Sequence, residues 1–204
     1  MATKGDLTRQ KIIEKSMQLF SVKGYFNTSI ADIVKATGLT KGGLYGHFRN
    51  KQEIWYAVYG ECTKIWRRVV FDGVREIADP LARLDRVIDN NLKNYLGAGV
   101  FAGGCFLLNA LVDLAGQAPT MSQHVLEGFF GFAELVSHWL EEADQQGLLR
   151  DGLDHREIAT FVVVSLNGAA PLYAAGKDPA VWRHTMAQLN YYLKSLRKPG
   201  QTRA

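Results

Sequence analysis

The sequence has little cysteine: Cys62 and Cys105 are the only two in 204 residues. They are far apart and form neither a CxxC pair nor a Cys/His metal spacing. A disulfide scaffold and a zinc site are thereby excluded, and a reducing cytoplasm is the expected compartment. The polar start MATKGDLTRQ lacks the apolar run of a secretory signal. No stretch sustains the two-residue alternation of a half-buried strand. GxSxG, P-loop, dinucleotide and zinc-helix signatures are missing, and His124, His138, His155 and His184 are not spaced to serve a nucleophile or a metal. No enzyme activity, metal or cofactor is expected. The longest apolar segment, ATFVVVSLNGAAPLYAA, residues 159–175, is interrupted by Ser165, Asn167 and Pro171. It reads as a buried helix, and no membrane partner is expected.

What the sequence does contain is helical periodicity, together with 47% hydrophobic residues for a core. TRQKIIEKSMQLFSVKG places Ile12, Ile13, Ser16, Met17, Leu19 and Phe20 on one face and stops at Gly24. Ser29 and Asp32 form a capping box that opens a short second helix ending at Gly38. Thr40 caps a third, with Leu44 and Phe48 as its large apolar anchors. Asn50 to Glu53 is a further capping box, opening a long fourth helix that the apolar stripe from Trp55 to Gly73 carries to about Asp79. Asp79-Pro80, Asp154 with Glu157, and Asp178-Pro179 mark later starts. The expected fold is all-α with about nine helices, the later ones near residues 80–96, 104–115, 120–147, 154–175 and 179–196.

Charge divides the chain. Up to Trp55 there are nine basic residues against four acids, a net of +5, whereas the remaining 15 and 16 leave −1. A basic head for a polyanion on a near-neutral body fits this balance, and so does a solvated lysine-rich helix face. Within that head, GLTKGGLYGHFRNKQEI spends three glycines, Gly42, Gly43 and Gly46, on a helix, at about 1 kcal/mol each relative to alanine. Two short helices joined by a glycine turn make a helix-turn-helix. A tip without side chains lets the second helix approach bases and phosphates, with its amide end favouring an anion.

At residues 24–54, and above all in TSIADIVKATGLTKGGLYGHFRNKQEI, the chain resembles the amino-terminal DNA-binding domain of TetR-family transcriptional regulators. The resemblance implies a helix-turn-helix domain over residues 1–53 and a ligand-binding and dimerisation domain over residues 54–204. It implies that Thr28 and Ser29 meet phosphates, that Thr40, Lys41, Gly42 and Gly43 face bases or backbone, and that Tyr45, His47 and Lys51 contact phosphates. Gly46 departs from the family pattern, in which a sizeable side chain is common. Readout should therefore rest on Lys41, groove shape and phosphates, with strong salt dependence.

The resemblance further implies a homodimer on a palindromic double-stranded DNA operator, the last two helices meeting their copies. Val162, Leu166, Gly168, Ala169, Leu189, Tyr192, Leu193 and Leu196 are the expected interface, though the same faces could pack within one chain. A small apolar or aromatic effector is expected among Cys62, Trp66, Phe101, Cys105, Asn109, Phe129, Phe132 and Trp139; a packed core explains these residues equally well. Cys105, Asn109 and Asp113 share a helix face, where a buried amide and carboxylate need partners: an effector, or the backbone and solvent. GGCFLLN is similar to a subgroup in which a Gly-Cys pair opens this helix and in which some members sense electrophiles. The expected function is a repressor that releases DNA on binding effector. The alternative is a helical lipid- or small-molecule-binding protein that keeps the fold without DNA binding.

Overall fold

The computed structural model describes residues 3–199, all helical apart from turns and one isolated bridge between Leu149 and Arg197. The helices are α1 (Lys4–Lys23), α2 (Ile30–Thr37), α3 (Lys41–Tyr45), α4 (Lys51–Val70), α5 (Pro80–Asp89), α6 (Phe106–Leu114), α7 (Pro119–Gln145), α8 (His155–Gly176) and α9 (Pro179–Leu196). Beyond Asp89, α5 widens into a π-helical segment, Asn90–Gly97.

Local chemistry sets most boundaries. The side chains of Ser29, Thr40, Asn50, Asp79, Asp154 and Asp178 each accept a hydrogen bond from a first-turn amide. Gly38 closes α2 in the left-handed region, at φ 69°. In the box at Asn50, Glu53 reaches back one residue further than expected, accepting from the Arg49 amide at 2.7 Å. The capping box of Ser29 and Asp32 holds the Asp32 carboxyl down at about 2, first through the Ser29 amide and hydroxyl and then through Lys23. Two boundaries differ from the sequence reading. Helix α4 ends at Val70, because residues 71–76 form turns around Gly73 at φ 68°. Helix α3 stops at Tyr45, one residue before Gly46, so Phe48 anchors it from the following turn.

Helices α1, α2 and α3 fold over the start of α4, with Ile12, Phe20, Ile33, Leu44, Phe48 and Trp55 buried between them. The body packs α7 against α5, α6 and α8, and α9 against α8 and the π segment. One joint fastens head to body. Asp113 of α6 accepts the Tyr25 amide at 2.6 Å, and the Lys51 ammonium donates to the carbonyls of Tyr25 and Thr28 at 2.8 and 3.0 Å while lying 4.2 Å from the Tyr25 ring centroid. Close approach explains two glycines: a Cβ on Gly24 would touch the Asp113 carboxylate at 2.9 Å, and one on Gly103 would overlap the Ser21 carbonyl oxygen.

Removing the acceptor from this joint leaves a partly buried amide without a partner. Asp113→Ala should lower stability by about 1–3 kcal/mol, read as the shift of a urea midpoint at constant slope. An unchanged midpoint would mean that the joint is solvated.

Candidate nucleic-acid interface and effector cavity

The tip of the head is built from residues that have little to do inside the protein. Thr40, Lys41, Gly42, Gly43, Tyr45 and Gly46 are exposed, whereas Leu44 is fully buried beneath them. A Cβ at Gly42 would meet nothing within 4 Å, and one at Gly46 only ordinary contacts at 3.5 and 3.6 Å. Both backbones are helical, so neither packing nor φ requires glycine at these positions. Gly43 differs only slightly: its Cβ would press on the Thr40 hydroxyl at 3.3 Å, the oxygen that caps its own amide at 3.1 Å. Helicity has been given up where the chain gains nothing from it, which is consistent with an external surface that must come close.

Around this tip, Ser29 is exposed and His47 half-buried. Arg9 stacks its guanidinium 4.8 Å from the Phe48 ring centroid, pinning the back of α3. One expected contact residue is corrected and a second is constrained. Thr28 is fully buried and its hydroxyl donates to the Gly24 carbonyl at 2.7 Å, so it shapes the turn before α2 and cannot reach a phosphate. Lys51 is largely committed to the Tyr25 and Thr28 carbonyls; burial lowers its pKa, with the Asp113 charge acting in the opposite direction. One of its three N–H donors remains for a phosphate.

The eight expected effector residues do not form one site. Trp66, Cys105, Phe129 and Phe132 line an internal cavity of about 70 Å³, together with Tyr59, Thr63, Arg67, Asn91, Leu107 and others. This lies well below the roughly 300–1,000 Å³ of ordinary ligand pockets. Cys62 is fully buried outside the lining, and Phe101 packs between Tyr95 and Phe106 at ring distances of 6.0 and 5.8 Å. Trp139 faces an open groove of about 1000 Å³ on the far side of Trp66, Phe71 and Phe132. Asn109 is bound to its own segment, donating to the Gly103 carbonyl at 2.7 Å, and Asp113 belongs to the head–body joint. Tyr59, Thr63, Arg67 and Asn91 escaped the sequence reading, although the first three recur at helical spacing on α4.

Both thiols are poor candidates for sensing. Burial pushes Cys105 and Cys62 up, the opposite of what a reactive thiolate requires, and the neighbour of Cys105 at 3.8 Å is the hydroxyl of Tyr95.

The expected dimer residues also need correction. Val162, Leu166, Ala169, Leu189, Leu193 and Leu196 are each no more than 3% exposed within one chain, so their apolar area is already used. Gly168 remains exposed and Tyr192 half-buried. The outward apolar stripe of α8 is Phe161, Val164 and Leu172, 50–66% exposed, with Tyr191 of α9 at 73% and Val112 and Phe130 beside it at 71% and 57%. An apolar groove of about 500 Å³ runs between α6, α7 and α8 along this face. Helix α8 is long and apolar enough by length and composition to cross a membrane, but 39% of its apolar window is buried inside the protein.

Residues 80–189 match the family profile described as "Tetracyclin repressor-like, C-terminal domain", and residues 12–58 match "Bacterial regulatory proteins, tetR family". The chain is 26% identical over 164 residues to the HTH-type transcriptional repressor DhaR of Mycobacterium sp. (strain GP1), covering 79% of each. Its fold is similar to the crystal structure of a TetR transcriptional regulator from Chloroflexus aurantiacus J-10-FL, with a TM-score of 0.88 and 24% identity over 95% of this chain and 98% of that one. It is likewise similar to a TetR-family transcriptional regulator from Cytophaga hutchinsonii, with a TM-score of 0.85 and 25% identity over 97% and 98%.

The open space at Gly42 separates folding from binding. Gly42→Ala should raise stability by up to about 1 kcal/mol, measured by thermal melting, yet weaken binding of operator DNA about tenfold, equivalent to about 1.4 kcal/mol. Unimpaired DNA binding would show that the tip does not approach the duplex.

Proposed function

Because the chain belongs to the TetR family of transcriptional regulators, we propose that it acts as a repressor, reading a palindromic operator through the α3 tip and releasing it when a small effector with an apolar or aromatic body fills the α4–α7 cavity. Regulators of this family bind operator DNA as dimers and respond to small molecules. The observation that carries the residue assignment is the side-chain-poor tip, glycine where nothing inside the protein asks for it, backed by buried Leu44 and Phe48.

In this reading Ser29, Tyr45, His47 and the free donor of Lys51 grip phosphates, while Thr40, Lys41, Gly42 and Gly43 face the groove. Lys41 is the side chain placed to meet a base edge, and the basic head makes up for sparse readout electrostatically. The reading head, residues 1–53, and the body, residues 54–204, share α4, which enters the head at Lys51 and lines the cavity with Tyr59, Thr63, Trp66 and Arg67. A ligand that moves α4 therefore moves the heads, provided that it prefers the released state by several kcal/mol. The function is regulatory, with no catalytic role, and the expected compartment is the cytoplasm.

The dimer forms through the outward stripe Phe161, Val164, Gly168 and Leu172 with Tyr191. A twofold contact there stacks α8 on its copy, with Gly168 leaving room for close approach. A stable dimer buries about 800 Å² per partner, and a face of this length supplies apolar area for it.

Two measurements test these assignments. Val164→Glu should give a monomer by sedimentation with its helical content intact, and lose operator binding with it; Leu189→Ala, in the chain's own core, should instead cost about 2–5 kcal/mol of stability. A dimeric Val164→Glu would move the interface elsewhere. On the head, Lys41→Ala should change sequence preference, whereas Tyr45→Phe should weaken all sequences alike. The wild-type log K should fall steeply with log salt, and a shallow slope would count against phosphate-dominated binding.

A further inference from the structure

The inner cavity carries a pattern that a purely apolar effector does not explain. One wall is aromatic and aliphatic: Trp66, Leu107, Phe129 and Phe132. The other is polar. On α4, Tyr59, Thr63 and Arg67 are spaced i, i+4, i+8 and line it as one stripe. Opposite, the π-helical segment presents Asn91, which is 8% exposed.

The Thr63 hydroxyl donates to the Tyr59 carbonyl at 2.9 Å, but Asn91 and Arg67 are not consumed by the protein. Among the described residues, the Asn91 side chain has no protein hydrogen-bond partner, whereas the Tyr59 hydroxyl is engaged by the Thr63 side chain. Arg67 has no ion pair, and it is the only charged residue lining the cavity. The Asn91 residue is more than nine-tenths buried, and its amide is left to hydrogen-bond with whatever occupies the cavity. Burial raises the Tyr59 pKa, while the Thr63 side chain and then the Arg67 charge act the other way, so the cation and the hydroxyl feel one another.

Arg67 also stands at the exit. It is shared, with Trp66, Gly128 and Phe132, between the inner cavity and the open groove beyond. That groove mixes Arg68, Arg75 and Arg83 with Asp72, Glu76 and Glu127, and Arg83 is already paired with Glu142 at 2.7 Å. The outer surface therefore selects no sign of charge strongly. Among the described residues, the inner cavity itself is lined by no carboxylate, so an anion entering it meets Arg67 as the one charge there.

We propose that the effector is an amphipathic organic carboxylate, its apolar body held between Trp66, Phe129 and Phe132 and its anionic end held by Arg67, with the Tyr59 hydroxyl and the Asn91 amide supplying directional hydrogen bonds. Arginine meets a carboxylate bidentately, and this fixes the orientation of the ligand as well as its charge. The proposal rests on the body being the effector domain of a regulator, and it narrows the chemical class of that effector.

The test uses the full-length dimer and matched probes: octanoate and 4-phenylbutyrate against 1-octanol and 4-phenyl-1-butanol, titrated by calorimetry and by quenching of tryptophan fluorescence. The expected result is that at least one carboxylate binds at least tenfold more tightly than its alcohol. Arg67→Gln should erase that preference while leaving alcohol binding within about twofold, and Tyr59→Phe should weaken the carboxylate about three- to tenfold. Since Arg67 is exposed, its replacement keeps the fold, which circular dichroism would verify. Equal binding of acid and alcohol, a preference that survives Arg67→Gln, or no binding by either carboxylate would each overturn the proposal. Operator binding by the unaltered protein is scored separately: if it fails while carboxylates bind, the regulatory reading falls and the ligand class stands.

Discussion

The position of the reading head depends on a small charged knot under the α1–α2 turn. The Lys51 ammonium holds two backbone carbonyls and the Asp113 carboxylate holds a backbone amide, all within the four residues from Tyr25 to Thr28. Charged partners make each of these bonds stronger than a neutral one. Each charge would be expensive in this partly buried place if left alone, and the opposite charge of the other offsets that cost. Gly24 and Gly103 let the segments come close enough to form the knot. Because its three participants come from the α1–α2 turn, α4 and α6, the head cannot rotate on the body without breaking it.

That constraint turns α4 into a rigid connection. Its upper end is locked to the head by Lys51, and an aromatic series continues downward, with Tyr25 against Trp55 at 6.4 Å and Trp55 stacked on Tyr59 at 5.2 Å. Arg67 lies sixteen residues beyond Lys51, about 24 Å along the axis at about 1.5 Å per residue. A tilt of only about 5° over that length carries one end some 2 Å, on the order of a helix shift at an interface. Two heads displaced in opposite senses by the dimer axis would then miss successive major grooves spaced about 34–36 Å apart.

Helix boundaries, the glycine tip and the helix-turn-helix were legible in the sequence because capping residues and left-handed glycines act over three or four positions, a range that sequence displays directly. What was not legible involved choosing between two plausible faces. Helix α8 is apolar nearly all round, so periodicity could not say whether Val162 and Leu166 or Phe161 and Val164 face the chain's own core. The answer depends on where α7 and α9 lie. The family resemblance implied a phosphate contact for Thr28 as for Ser29, yet only Ser29 takes the cap while Thr28 turns back to the Gly24 carbonyl. The π segment, which aims Asn91 into the cavity, follows from tertiary packing of the Asn90 side chain on the Val70 and Asp72 carbonyls at 3.1 and 3.0 Å. No local signal announces it.

The cavity's size links the two halves of the molecule. At about 70 Å³ it is far smaller than the roughly 300–1,000 Å³ of an ordinary ligand pocket, so an effector seated within it must enlarge it. Side-chain rotation alone has little room to do so on the α4–α7 side. The Tyr59 hydroxyl already sits so close to α7 that a Cβ at Gly128 would come within 2.9 Å of it, and Trp66 and Phe132 are in edge contact at 5.2 Å. Packed interfaces of this kind move as units between discrete arrangements and do not stretch. In the proposed mechanism the volume an effector needs comes from separating α4 from α7. Since α4 is locked to the head at Lys51, that separation and the displacement of the head are one motion. On that mechanism, the same close packing that leaves the cavity too small for a ligand couples ligand binding to movement at the DNA.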